Sequence, residues 1–103
     1  MQVLLDVLDR VKILQILPPE GNIVTLRLTR DLAKKVGFTA EEHKEFEIQE
    51  KDGMVKWNEK AMVPKPFKLA DVEFGLIKTK LDDRDSKGTL TPDMVPLYEK
   101  FHP

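Results

Sequence analysis

Asp52-Gly53 constrains this chain more than any other pair of residues. A two-residue type I′ turn needs positive φ at both central positions, and Asp-Gly is one of the few pairs that accept it. A turn there sets Lys51 opposite Met54, Glu50 opposite Val55 and Ile48 opposite Trp57. That register gathers Phe46, Ile48, Val55 and Trp57 on one face, so the hydrophobic pattern agrees with the turn. The sequence therefore predicts a β-hairpin over residues 46–58.

Helical patterns surround it. Asp6 is placed to cap a helix over residues 7–16, where Val7, Leu8, Val11, Leu14, Ile16 and Leu17 make a broad apolar face. Pro18-Pro19 stops that helix, because proline cannot donate to the helical ladder. Val24, Leu28, Leu32 and Val36 recur at four-residue spacing, which favours a second helix over 23–36 stopped by Gly37. Thr39-Ala-Glu-Glu42 has the form of a capping box, and a short helix over 40–46 follows. Asp71 is the expected cap of a helix over 72–82, with Val72, Leu76, Ile77 and Leu81 inward and Gly75 weakening it. A last helix starts near Val95 and carries Leu97, Tyr98 and Phe101, with Pro96 in its first turn. Residues 2–5 and 66–69 read as short edge strands, the second beside Pro64 and Pro66.

Composition narrows the chemistry. A chain of 103 residues, 41% hydrophobic and 34% charged, suits one folded domain over 1–103. The net charge of -1 removes the simple electrostatic argument for nucleic acid or an anionic membrane. With no cysteine, disulfides, thiolate catalysis and cysteine-based zinc sites are excluded. Met1-Gln-Val-Leu-Leu-Asp6 lacks the positive and apolar runs of a secretion signal. No apolar run approaches the ~18 residues that span a bilayer. The expected location is the cytoplasm.

Residues 83–94 hold the most specific chemical pattern. Asp83, Asp85, Gly88 and Leu90 occupy positions one, three, six and eight of a calcium-loop frame. Lys87 then stands where a fifth-position oxygen is needed, and Met94 where the bidentate glutamate belongs. No second copy of the frame exists to pair with it. The expectation is a polar connector between two packed helices, with glycine for the bend and Thr91-Pro92 for the restart.

Leu32-Ala-Lys-Lys-Val-Gly37 followed by Phe38-Thr-Ala-Glu-Glu-His-Lys-Glu-Phe46 has helix-turn-helix spacing, with the hairpin as a wing. Its basic face would need Arg27, Arg30, Lys34, Lys35, Lys51 and Lys56. Against this, the second helix sets Glu41, Glu42 and Glu45 against Lys44 alone, the wrong sign for a polyanionic groove.

The remaining polar residues form no recognisable set. His43 with Glu42 and Glu47 lacks a third ligand at motif spacing, and His102 lies beside the end of the sequence. Ser86 is the only serine and no histidine is placed to activate it. Asp82-Asp83 has no cleft readable from sequence. Trp57 and Tyr98 fit core faces.

Several segments, in order along most of the chain, are shared with a known group. They are Asp6 with its apolar helix, Leu17-Pro-Pro-Glu-Gly-Asn22 with Thr25-Leu26, Glu41-Glu-His-Lys-Glu-Phe46, Trp57, and Leu97-Tyr-Glu-Lys-Phe101. With these the chain resembles small uncharacterised proteins of bacteriophages and prophages. The resemblance implies a protein made in an infected or lysogenic bacterium, and brings no activity or site residue with it.

The sequence thus predicts an α+β domain: four or five short helices packed on a small sheet that contains the 46–58 hairpin, an arrangement compatible with a winged helix. The expected function is a non-enzymatic accessory protein that binds a host or phage protein, or itself. The alternative is a winged-helix-like nucleic-acid binder. No catalytic, cofactor-binding or metal-ligating residue is assigned, and no cofactor is expected.

Overall fold

The computed structural model describes residues 1–102 and is α+β: five helices and two small antiparallel sheets. The first sheet pairs β1 (Gln2–Leu5) with β4 (Lys65–Lys68), in the register Val3 opposite Phe67 and Leu4 opposite Pro66. Met1 and Leu69 exchange both backbone hydrogen bonds at 2.7 Å. Alternation along the ladder then puts Leu4–Pro66 at a non-bonded pair, where proline's missing N–H is not needed. Both expected edge strands therefore form, but they pair with each other. The hairpin β2 (Gln49–Lys51) and β3 (Met54–Lys56) makes a second, separate ladder.

The turn chemistry holds. Asp52 and Gly53 have φ of 54° and 76°, and Lys51 faces Met54 and Glu50 faces Val55. The strands are shorter than the predicted 46–58. Phe46 closes α3 (Ala40–Glu45) in helical conformation, and Glu47 turns the chain with φ of 51°. Asn58 ties the base, donating from its backbone to Phe46 O at 2.8 Å and from its side chain to Glu45 O at 2.9 Å.

Helix α1 (Val7–Ile16) begins at Asp6, whose carboxylate accepts from Asp9 N–H while Asp9 accepts from Asp6 N–H. It lies at the centre of the molecule, packed on α2 (Ile23–Val36), α4 (Asp71–Lys87) and β1. Ile13 and Ile16 enter the main core with Leu5, Leu32, Val36, Leu69, Ile77, Leu81, Leu97 and Phe101. Val7 turns to a smaller cluster with Phe46 and Ala61, flanked by Val11, Phe38, Ile48 and Trp57. Trp57 and Tyr98 both pack as expected, half-buried against these clusters.

Helix α2 starts at Asn22, whose side chain accepts from Thr25 N–H at 2.9 Å. It stops at Gly37, where an added Cβ would lie 2.6 Å from Ala33 O, so a side chain cannot fit that turn. Leu28, Leu32 and Val36 point inward, but Val24 does not, being 71% exposed.

Helix α4 departs most from expectation. Ala70, not Asp71, is its N-cap, and Glu73 accepts from Ala70 N–H at 2.8 Å. Val72, expected inward, is 64% exposed. The helix runs on to Lys87, five residues past the predicted end. It ends at Gly88 in the left-handed conformation, φ 68°, with Thr89 N–H reaching back to Arg84 O at 2.8 Å. A short three-ten turn, Pro92–Met94, leads into α5 (Val95–Phe101), which packs on α4 with Phe101 against Phe74 at 4.7 Å between ring centroids.

Candidate interaction surfaces

The buried charges come first, because a buried charge is either structural or chemical. Arg10 leaves α1 with its side chain only 3% exposed. Its Nε donates to Val36 O at 2.9 Å and its Nη2 to Gly37 O at 2.6 Å. Nη1 and Nη2 also grip Glu42 through both carboxylate oxygens, at 2.6 and 2.9 Å. The guanidinium lies over Phe38, 4.2 Å from the ring centroid, with Phe67 at 5.0 Å. An arginine has five N–H donors, and four are already committed. The Arg10 hydrogen bonds hold the Glu42 carboxyl down at about 2. This is a structural clasp on the α2–α3 turn, with one guanidinium N–H uncommitted.

Two further pairs act alike. Asp9 accepts from Lys100 of α5, although burial pushes its carboxyl up from the ordinary carboxylate value. Glu73 of α4 accepts from Lys35 of α2 at 2.5 Å. Sequence reasoning missed Asp9, Arg10 and Glu73 as core residues. The signal was present for Asp9: it shares helical spacing with Ile13 and Ile16, the helix's innermost apolar positions.

The calcium frame does not assemble as a loop. Asp83, Asp85 and Lys87 all lie inside α4, on helical backbone. Asp93 is occupied by Thr91 and by Lys12, the latter at 2.9 Å, and these contacts hold its carboxyl below the usual range. Among the described residues no group of three histidine, aspartate or glutamate side chains is placed to hold a metal. The connector between α4 and the next turn is Gly88–Thr91, and it does join two packed helices.

The other candidates disperse. Glu42 serves Arg10 and Glu47 faces Asn58 at 3.4 Å, so neither joins His43. His102 docks on α4, with Nε2 2.6 Å from Asp82 Oδ1 and its ring stacked on Tyr98 at 3.9 Å. Burial, then the charges of Asp85 and Asp82, push the Tyr98 phenol up. Asp83 pairs with Lys80 at 3.8 Å, separate from Asp82. Ser86 is exposed on α4, away from either histidine's hydrogen bonds. The second helix of the proposed helix-turn-helix has six residues, buries none of them and is acidic. Of the basic face, Lys35 is taken by Glu73, while Lys51 and Lys56 lie exposed on the separate hairpin.

Two surfaces combine open apolar side chains with charge. The first is a cleft of about 340 Å³ between α1 and the hairpin, lined by Val11, Leu14, Phe38, Ile48 and Val55 with Gln15, His43 and Glu50 as polar members. It continues into a smaller recess of about 250 Å³ that reaches Leu8, Met54 and Trp57. The hairpin beside it is anchored at its base by Phe46 and Asn58, and all of β2 stays exposed.

The second is the outward face of α2. Ile23, Arg27, Arg30 and Lys34 follow one another at helical spacing on the side opposite Leu32 and Val36. Ile23 is 61% exposed and Val24 beside it 71%. Among the described residues Arg27 and Lys34 have no ion pair, and Arg30 has only its neighbour Asp31 at 3.5 Å. A shallow depression lined by Leu28, Ala70 and Val72 continues the apolar surface onto α4.

No protein-family profile, curated protein or solved structure matches this chain. Among the described residues no helix is long and apolar enough to cross a membrane.

Proposed function

We propose that this chain is a small non-enzymatic accessory protein of the phage or prophage type. It acts in the bacterial cytoplasm by binding another protein through the outward face of α2. One observation carries the reading: Ile23 and Val24, two branched aliphatic residues, stand open to solvent on the first turn of a well-capped helix. Their burial elsewhere would follow only from a partner, since together they hold apolar area that the fold itself leaves in water. The absence of free polar machinery around Arg10, Glu42 and Glu73 supports a binding role over a catalytic one.

The test is capture from host lysate with the wild-type chain and with Val24→Asp. A specific protein retained by the first and lost with the second supports the reading. Equal capture by both, or capture of nothing, rejects it. Salt-sensitive retention of DNA that disappears with Arg27→Glu would instead favour the nucleic-acid alternative.

A further inference from the structure

We infer that the α2 face of one copy of this chain docks in the α1–hairpin cleft of another. The inference rests on the reading of the α2 face as a docking surface and names its occupant. The two surfaces are complementary in charge, and both are apolar at their centre. The outward stripe of helix α2 leads with Ile23 and carries Arg27, Arg30 and Lys34, with Asp31 the helix's only acid; Lys35 is spent on Glu73. The segment 41–56 forms one wall of the cleft and carries six acidic residues against three lysines, the acids concentrated in 41–50. Among the described residues Glu41, Glu45 and Glu50 make no ion pair, and Glu50 lines the cleft itself.

An aliphatic anchor beside a basic stripe thus meets an apolar cleft beside an acidic wall. The cleft, at about 340 Å³, has room for the Ile23 and Val24 side chains, and Val11, Leu14, Ile48 and Val55 give them an aliphatic lining. Once Ile23 and Val24 sit there, Arg27 and Arg30, one and two turns along α2, run past the glutamates. A self-symmetric contact does not suit either surface: two α2 faces would oppose like charges, and two clefts would leave both apolar hollows unfilled. The contact therefore pairs α2 of one copy with the cleft of another: it closes as a two-fold pair where both copies reciprocate, and builds rings or open chains where they do not.

The experiment measures the mass of species in solution over a concentration series at low and high salt. Wild type is expected to associate with rising concentration, as a reciprocal dimer or larger, and to lose association at high salt as its charges are screened. The Ile23→Glu/Val24→Glu variant loses its docking face but keeps its cleft. The Val55→Glu variant loses its cleft but keeps its docking face. Each alone is expected to stay monomeric, and an equimolar mixture to form a one-to-one complex and nothing larger. Glu50→Lys, an exposed change, replaces Val55→Glu if the latter fails to melt cooperatively.

A wild type that stays monomeric throughout overturns the inference, as does a mixture of the two variants that stays monomeric. A strict dimer whose two variants behave alike in mixture and alone also overturns it. If wild type is monomeric while Val24-dependent capture of a host protein persists, the self-docking idea fails and the reading of the α2 face stands.

Discussion

Arg10 and Glu42 lie 32 positions apart in sequence and meet through two parallel hydrogen bonds, Nη1–Oε2 at 2.6 Å and Nη2–Oε1 at 2.9 Å. Glu42 does two jobs at once, because its Oε1 also accepts from Thr39 N–H at 3.1 Å to complete the α3 capping box. The short helix α3 buries none of its own residues, so this clasp holds it to the body. Glu42→Ala would leave the Arg10 guanidinium buried without its counter-charge. Urea unfolding should show a loss of about 3 kcal/mol. Arg10→Met with Glu42→Met removes both charges together and should recover much of that loss.

Acid should act on the same pair. In the unfolded chain a glutamate titrates near 4.5, whereas Glu42 in the fold is held at about 2. The unfolded state therefore binds the proton first as pH falls. The stability from Glu42 is complete above the unfolded value and is lost as pH drops toward the folded one. Asp9 works in the opposite sense: burial raises its pKa, so lowering pH through that raised value favours the fold. Thermal midpoints between neutral pH and pH near the folded Glu42 value should fall for wild type. Glu42→Gln should fall less steeply over the same range.

Calcium added to the folded chain should leave its melting temperature unchanged. A ligand selective for the folded state must raise stability, and residues 83–87 are committed to α4. Asp83→Asn with Asp85→Asn should be equally silent to calcium. Gly88→Ala should instead cost about 1 kcal/mol, because it puts a side chain into left-handed backbone. A calcium-dependent rise in melting temperature would revive the metal reading.

Gly75 offers a stabilising change. It sits inside α4, and a Cβ built there meets no atom within 4 Å. Gly75→Ala should raise stability by about 1 kcal/mol, read from the denaturation midpoint at constant slope.

The parts of the fold governed by local chemistry were legible in the sequence. Asp52-Gly53 fixed its turn, Asp6 and Thr39 capped their helices, and Pro18-Pro19 ended one, since each acts within a few residues. The end of α4 was misread because Asp83, Asp85 and Lys87 are polar. A helix that packs by one stripe, Ile77 and Leu81, can extend through polar residues until glycine stops it. Spacing puts Val72 on the inward stripe of α4 and Val24 in register with Leu28, Leu32 and Val36, yet both are exposed. Spacing gives a face but not the point along the helix at which neighbours cease to cover it. The two docking surfaces were out of reach for the same reason. A cleft between α1 and a hairpin some forty residues later in the chain is made by distance relationships that no local window contains.

Helix α1 has a further consequence for how the chain is made. Asp9 waits for Lys100, 91 positions later, Arg10 waits for Glu42, and β1 waits for β4. A ribosome releases residues in order, so the first helix emerges with an acid and a base that have no partners and an apolar face with nothing to cover it. The Asp9–Lys100 contact cannot form until residue 100 has emerged, because closing so long a loop must precede the contact that rewards it. The nascent chain is thus exposed to chaperones, and to neighbouring copies on the same message, for most of its synthesis.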